Sequence, residues 1–408
     1  MRLACAPALL LLLLSQRSLS SPTTYFAGDS AAFSYEGRWD TSSSNYRTDW
    51  PCARVSFGVS PPPEGGEVAI EWAAMRTRVN ATAWKEDGTI ASTSIFTSST
   101  MGRRLKKQTD TLSIPADAVM VTFRKLTQGA PFGGGIGESL LTSSQMTLNS
   151  VSSDSVRVTP PPTRKLTIEY IGASDTAGYC VDGTPDIDDT AELYLSGWKY
   201  DNCDLATPGL LAHSLDANLH VEAEGGFGLT QNANAKHRSF EGPHPLPYFW
   251  HNQTLLTDPN PPWDSSLSST PDLVLISLGG NDFNHQKGRV PSDEDFSAAY
   301  ADFLLSIFSE YGSDVKIMGV CGQGSPAEAE FDPDNNRCSP CPHVEAATAA
   351  FKGAHPELAA RVGYVNVPCD GSVVVGDEDI GCAGHKNQLG QHEVFSYISP
   401  AVESFLSS

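Results

Sequence analysis

The sequence predicts two domains, an N-terminal β-sandwich of the jelly-roll kind followed by an α/β domain with a parallel sheet. Three observations predict this. The chain has 408 residues, long enough for two ordinary domains. Residues 22–158 carry short alternating segments and no long amphipathic helix. After a proline-rich break at 159–164, apolar runs alternate with helical stripes through 165–408. Hydrophobic residues make up 40% and charged residues 18%, a balance that supplies packed cores and excludes a disordered chain.

Residues 1–20 read as a signal peptide: Arg2, an apolar core from Ala8 to Leu14, then Ser18-Leu19-Ser20. The run is too short to cross a bilayer, so the mature protein is expected to be secreted and extracellular. A formal charge of −21 disfavours nucleic acid and anionic membranes as partners and suits neutral or cationic substrates. Outside the leader stand eight cysteines, an even number that implies disulfides in such a compartment. Cys180 with Cys203 and Cys369 with Cys382 are the first pairs to expect. Cys338-Ser-Pro-Cys341 has no second C-x-x-C, so a structural disulfide loop is expected there in place of zinc. Asn80-Ala-Thr82 and Asn252-Gln-Thr254 are glycosylation sequons, expected on surface loops.

In the first domain, Val68–Trp72, Ala91–Phe96 and Val119–Phe123 alternate as half-buried strands should, between Gly, Pro, Asp and Ser clusters. Gly133-Gly-Gly-Ile-Gly137 lies among strands and precedes no helix, so it is read as a turn. Thr159-Pro-Pro-Pro-Thr163 is a stiff extended spacer. Beyond it, Leu166–Ile171, Asp272–Leu278, Val315–Val320 and Arg361–Val367 read as buried strands. Ser292 caps a helix with an acidic first turn and an apolar stripe from Phe296 to Tyr311. Val344 to Val362 is mostly helical with a break near Pro356, and Leu389 to Leu406 is a last helix interrupted at Pro400. Chemistry in such a domain belongs at the carboxyl ends of the strands.

Four segments fall at those ends. Ser174 sits on the strand-to-helix turn after Gly172, held out from the sheet beside the N–H groups of a new helix. Gly225-Gly-Phe-Gly228 offers backbone N–H to a close ligand, Gly279-Gly-Asn-Asp282 offers the Asn281 amide, and Gly384-His385 offers a base. A hydroxyl nucleophile needs such a base and donors aimed at the developing oxyanion. Ser174, His385, Gly226 and Asn281 supply these, with His285 and His392 as rival bases. The bland alternatives are a turn serine and a capping Asn-Asp pair.

The order Ser, Gly, Asn, His resembles the blocks of SGNH (GDSL-type) hydrolases. Ile168–Tyr179 is similar to block one, Gly225–Leu229 to block two, Leu278–Phe283 to block three and Gly381–His385 to block five. Gly37-Arg-Trp-Asp40 with Trp50, and Val121–Gln128, resemble the jelly-roll domain of carbohydrate esterase family two. That resemblance implies a flavodoxin-like SGNH domain and a serine esterase acting on acetylated plant-type polysaccharide, xylan or mannan, without cofactor or metal. It implies Ser174 as nucleophile, His385 as base, and an oxyanion hole of Ser174 N–H, Gly226 N–H and the Asn281 side chain. The usual Gly-Asp-Ser is here Gly172-Ala173-Ser174, and Cys382 and Ala383 stand where an acid usually precedes the histidine. A Ser–His dyad with a backbone carbonyl on the histidine, known in this family, suits that pattern. Ala173 and Ala383 equally suit the alternative of a weakened or inactive carbohydrate-binding protein. Trp250 and Trp263 are expected either to stack on sugar rings or to pack a long insertion. A lipid esterase of the same superfamily is disfavoured by the β-domain likeness and the lack of an apolar lid segment.

Overall fold

The computed structural model describes residues 22–29, 31–98, 105–129, 144–187, 196–233, 244–258, 261–267, 269–283, 290–322 and 340–408. The leader, the Gly133–Gly137 turn, Cys338 and His285 fall outside these residues.

Among the described residues, eleven strands build the first domain: β1 (Thr23–Phe26), β2 (Ser34–Glu36), β3 (Tyr46–Thr48), β4 (Arg54–Ser60), β5 (Gly66–Ala74), β6 (Arg78–Lys85), β7 (Ile90–Thr97), β8 (Lys106–Ile114), β9 (Ala118–Lys125), β10 (Met146–Ser153) and β11 (Arg157–Thr159). One antiparallel sheet runs β1-β10-β5-β8, with β3 also on β10; the other runs β11-β4-β9-β6-β7, with β2 on β4. Their facing side chains, among them Val68, Ile70 and Trp72 from β5 and Val55, Phe57 and Phe123 from β4 and β9, make one core. This is the expected sandwich. On β5 the alternation is clean, because only one face is buried. β4 is buried along both faces up to Val59, since its outer face meets the second domain.

That outer face is polar and laid out in register. Glu36 pairs with Arg54, Arg54 with Arg124 and Arg124 with Asn80 across β2, β4, β9 and β6. Glu36 accepts from Arg54, Arg124 from the same row ion-pairs with Asp204 of the second domain, and Asn80 donates to Asp204. Asn80 therefore lies on a strand at the domain junction, and not on the surface loop that its sequon suggested. Asn252 sits at the exposed end of a helix.

Five strands, β12 (Leu166–Gly172), β13 (Ala217–Ala223), β14 (Leu273–Ser277), β15 (Lys316–Cys321) and β16 (Val362–Asn366), form a parallel sheet in the order β13-β12-β14-β15-β16. This is the flavodoxin-like order, in which chain direction across the sheet reverses beside β12. The α-helices are α1 (Ser174–Ala177), α2 (Thr207–Ser214), α3 (Leu246–Asn252), α4 (Asp293–Tyr311), α5 (Cys341–Ala354) and α6 (Gln388–Ser407). α4 and α5 pack one face through Val274, Ile276 and Ile317, and α2 and α6 pack the other through Leu273, Leu275 and Ile398. Ser292 caps α4 by accepting from Asp295 N, and Pro400 lies inside an unbroken α6. β13 and α2 were not visible in the apolar pattern. β13 carries His220 and Glu222, both buried, on the face turned toward Arg38 of the first domain, while Leu219 and Val221 on its other face pack in the core with α2. Its Leu219 N–H donates to Glu36, so the sandwich caps the outer strand of the sheet.

The disulfides differ from the expected neighbours. They join Cys52 to Cys203, Cys180 to Cys382 and Cys321 to Cys341. Cys341 is thus paired outside its C-x-x-C, and Cys369, also disulfide-bonded, is not paired with Cys382. Sequence proximity misleads for Cys52–Cys203 and Cys180–Cys382, whose partners lie 151 and 202 residues apart and are brought together by tertiary packing. Cys52–Cys203 ties the sandwich to the α/β domain.

Candidate active site

β12 ends at Gly172, level with Ala223 of β13 and Ser277 of β14, so three of the four sequence-predicted segments leave the sheet together. The turn after β12 is tight. A Cβ at position 172 would run into the Thr176 hydroxyl, which explains the glycine. Ser174 then opens α1, a single turn closed by Gly178 in the left-handed region.

His385 is brought to Ser174 from the far end of the chain. Its Nε2 lies 2.7 Å from Ser174 Oγ, and its Nδ1 lies 2.9 Å from the carbonyl oxygen of Ala383. An Nδ1–H donated to that carbonyl leaves Nε2 as the acceptor facing the serine. Ala383 adopts φ 52°, ψ 36°, a left-handed conformation that costs a non-glycine residue about 1–2 kcal/mol. Its reversed backbone is what points the carbonyl at the ring. His385 is buried, and Tyr179 meets its ring edge to face at 4.8 Å. The acids just upstream serve the loop instead: Asp379 accepts from Val375 N. His392 lies exposed on α6, facing Ser396 and Phe395.

The residues after the serine and the histidine also meet. Lys386 Nζ is 3.0 Å from Asp175 Oδ1, both side chains being buried. Gln391 of α6 donates to the Asp175 carbonyl, and the Cys180–Cys382 bond closes the same junction. Sequence reading missed this clamp. Its only signal was a charged residue directly following each candidate.

Gly226 takes φ 85°, a value that glycine alone reaches cheaply. Among the described residues, neither its N–H nor that of Ser174 donates to a protein acceptor. Asn281 donates from Nδ2 to the Phe227 carbonyl at 2.7 Å, which places the amide against the Gly225–Gly228 turn. Asp282, read from sequence as a capping partner, holds that turn's continuation. Its fully buried carboxylate accepts from the N–H groups of Leu229, Thr230 and Gln231 and from the Thr230 hydroxyl. Burial raises its pKa, and these hydrogen bonds oppose the shift.

The two tryptophans differ in exposure: Trp250 is buried and Trp263 half-buried. Trp250 is 1% exposed and donates to Glu169 in the middle of β12, within the core. Trp263 has the Arg38 guanidinium over its ring at 4.2 Å. Both belong to the domain junction, where buried Arg38 also bonds Glu222 and the carbonyls of Trp250 and Gln253. Their place in a proline-rich insertion gave no sign of this burial. Among the described residues, no group of three His, Cys, Asp or Glu side chains could hold a metal ion. No described helix is long and apolar enough to cross a membrane.

A serine and a histidine thus stand at the carboxyl end of a 2-1-3-4-5 sheet, with a Gly-Gly-Asn-Asp turn beside them. Together with the sandwich, this fold is similar to that of solved family two carbohydrate esterases. No protein-family model matches the chain. It is 30% identical over 155 residues to the acetylxylan esterase / glucomannan deacetylase of Cellvibrio japonicus (strain Ueda107), a match covering 36% of this chain and 40% of that protein. The family two carbohydrate esterase structure from Cellvibrio japonicus superposes with TM-score 0.69 at 17% identity, over 95% of this chain and 98% of that one. The family two carbohydrate esterase from Clostridium thermocellum in complex with cellohexaose gives TM-score 0.68 at 19% identity, over 92% and 99%.

Proposed function

We propose that the protein is a secreted serine esterase that removes O-acetyl groups from xylan- or mannan-type polysaccharide through a Ser174–His385 dyad. The observation that carries this reading is the 2.7 Å contact between His385 Nε2 and Ser174 Oγ at the carboxyl end of the sheet. The likeness to an acetylxylan esterase / glucomannan deacetylase supports the substrate class.

Ser174 Oγ attacks the acetyl carbonyl carbon while its proton passes to Nε2 of neutral His385. The carbonyl oxygen, now negative, is met by the N–H groups of Ser174 and Gly226 and by Asn281, whose second amide hydrogen remains beyond the bond to Phe227. The bond to the sugar oxygen breaks, and that oxygen takes the proton from Nε2. Water then attacks the acetyl-serine, giving its proton to His385. The second tetrahedral centre collapses, acetate leaves, and the proton returns to Ser174 Oγ. The imidazolium formed in each half is steadied at Nδ1 by the Ala383 carbonyl, the role that a carboxylate fills in a triad.

The test is acetate release from acetylated xylan and glucomannan by the mature chain beside Ser174→Ala. Turnover that falls by at least about 10³-fold in the mutant supports the reading. Absence of turnover in both, with retained polysaccharide binding, would replace it by the carbohydrate-binding alternative.

A further inference from the structure

A cavity of about 340 Å³ lies at the other end of the parallel sheet, where the linker crosses between the domains. That volume is within the range of small-ligand sites. Its floor is the outer face of the sandwich, contributed by Ser34, Arg54, Ser56 and Met120 on three adjoining strands. Linker residues and Arg164 close one side, and Asn218, the second residue of β13, closes the other. These mark the amino ends of β12 and β13, roughly 20 Å from Ser174 by the length of a seven-residue strand. The cavity is therefore separate from the dyad.

Its polar groups ask for an acceptor. Ser56 is 4% exposed, and its Oγ has no hydrogen-bond partner among the described residues. A buried hydroxyl left so is unfavourable, and native structures rarely keep one without a use. Arg54 directs Nε and Nη2 to Glu36, while its Nη1 meets no protein acceptor among the described residues. Arg164 Nη1 stands 4.0 Å from the same Glu36 carboxylate. Glu36 thus sits between the two guanidinium groups that line the cavity, and Arg164 also pairs with Asp216 at 3.0 Å, which leaves Arg54 Nη1 as the guanidinium donor open to a ligand. Met120 and the prolines of the linker supply the apolar wall, beside Thr163 and Ser269. An apolar wall beside a guanidinium suits an organic body carrying a negative group better than a bare, strongly hydrated ion.

We propose that this junction cavity binds a small organic carboxylate, with Arg54 and Ser56 donating to the carboxylate and Met120 and the linker prolines contacting its body. The proposal does not rest on the esterase reading, and its test uses no turnover. The mature full chain is titrated calorimetrically with benzoate and with D-glucuronate, beside their neutral counterparts benzamide and glucose, and with sulfate. Saturable binding of at least one carboxylate, tenfold or more tighter than its neutral counterpart and than sulfate, is expected. It should weaken at least fivefold in Ser56→Ala and vanish in Ser34→Trp, which fills the mouth from an exposed position. Melting temperatures of the unliganded variants verify their folding. Absence of binding by both carboxylates, equal binding of sulfate or of the neutral counterpart, or undiminished binding in folded Ser34→Trp would each overturn the proposal.

Discussion

The two halves of the candidate site are held by different means. On the nucleophile–base side, Ser174 and His385 come from segments joined by the Cys180–Cys382 disulfide, the buried Lys386–Asp175 ion pair and the Gln391 bond to Asp175. On the oxyanion side, the turn after Gly226 is fastened by one carboxylate, Asp282, and by Asn281 on Phe227. The first half brings together segments about two hundred residues apart, where loop closure is costly and a covalent link recovers most. The second joins the ends of β13 and β14, which flank β12 and are already aligned by the sheet, where hydrogen bonds suffice. Redundancy therefore holds Ser174 against His385, while the turn after Gly226 rests chiefly on Asp282.

The largest effect should come from removing that residue. Asp282→Ala leaves three N–H groups and a hydroxyl without their acceptor and releases the turn. A kcat loss of about 10²-fold or more is expected, with stability lower by about 3–5 kcal/mol. Steady-state kinetics with a urea titration check both, and an unchanged kcat would break the comparison. The double variant Cys180→Ser, Cys382→Ser should lose about 2–4 kcal/mol in the same titration. Its kcat should fall less than tenfold, because the ion pair and Gln391 remain; a larger fall would mean that the covalent link alone aligns the dyad. The smallest effect concerns Asp201, at the domain junction beside Cys180. Burial pushes its carboxyl from 3.8 up to about 7, against the pull of Lys125 and Arg78. Across that window the native state keeps a proton that the unfolded chain has released, so stability from this group falls as pH rises from about 4 to about 7. Urea midpoints at pH 5 and pH 7 should differ less in Asp201→Asn than in the parent chain.

Much of this was legible in the sequence because it depends on local order. The change from alternating to helical periodicity at the proline run separates the strand sets, and three short motifs mark strand ends while the fourth marks the loop before the last helix. What could not be read depends on long-range contact. β13 was hidden because a strand facing a polar domain junction keeps His220 and Glu222 where an ordinary central strand would be apolar. For Trp250 and Trp263, composition does not distinguish a tryptophan open to a ligand from one packed against a buried arginine. Two of the cysteine pairs join residues 151 and 202 apart, which spacing does not reveal. Ala383 is the subtlest case: an alanine where an acid was expected looks like a loss, yet its left-handed backbone supplies the histidine with an acceptor.

The Cys52–Cys203 bond and the buried Arg38 also bear on how the chain matures. The sandwich leaves the ribosome first, with a thiol whose partner is 151 residues further on. Arg38 awaits acceptors as distant as Trp250 and Gln253. Until those residues are made, the first domain presents an open polar face and an unpaired thiol at Cys52. The sandwich is accordingly a poor module to excise or to graft: expressed alone, it would keep its strands but lack the surface that completes it.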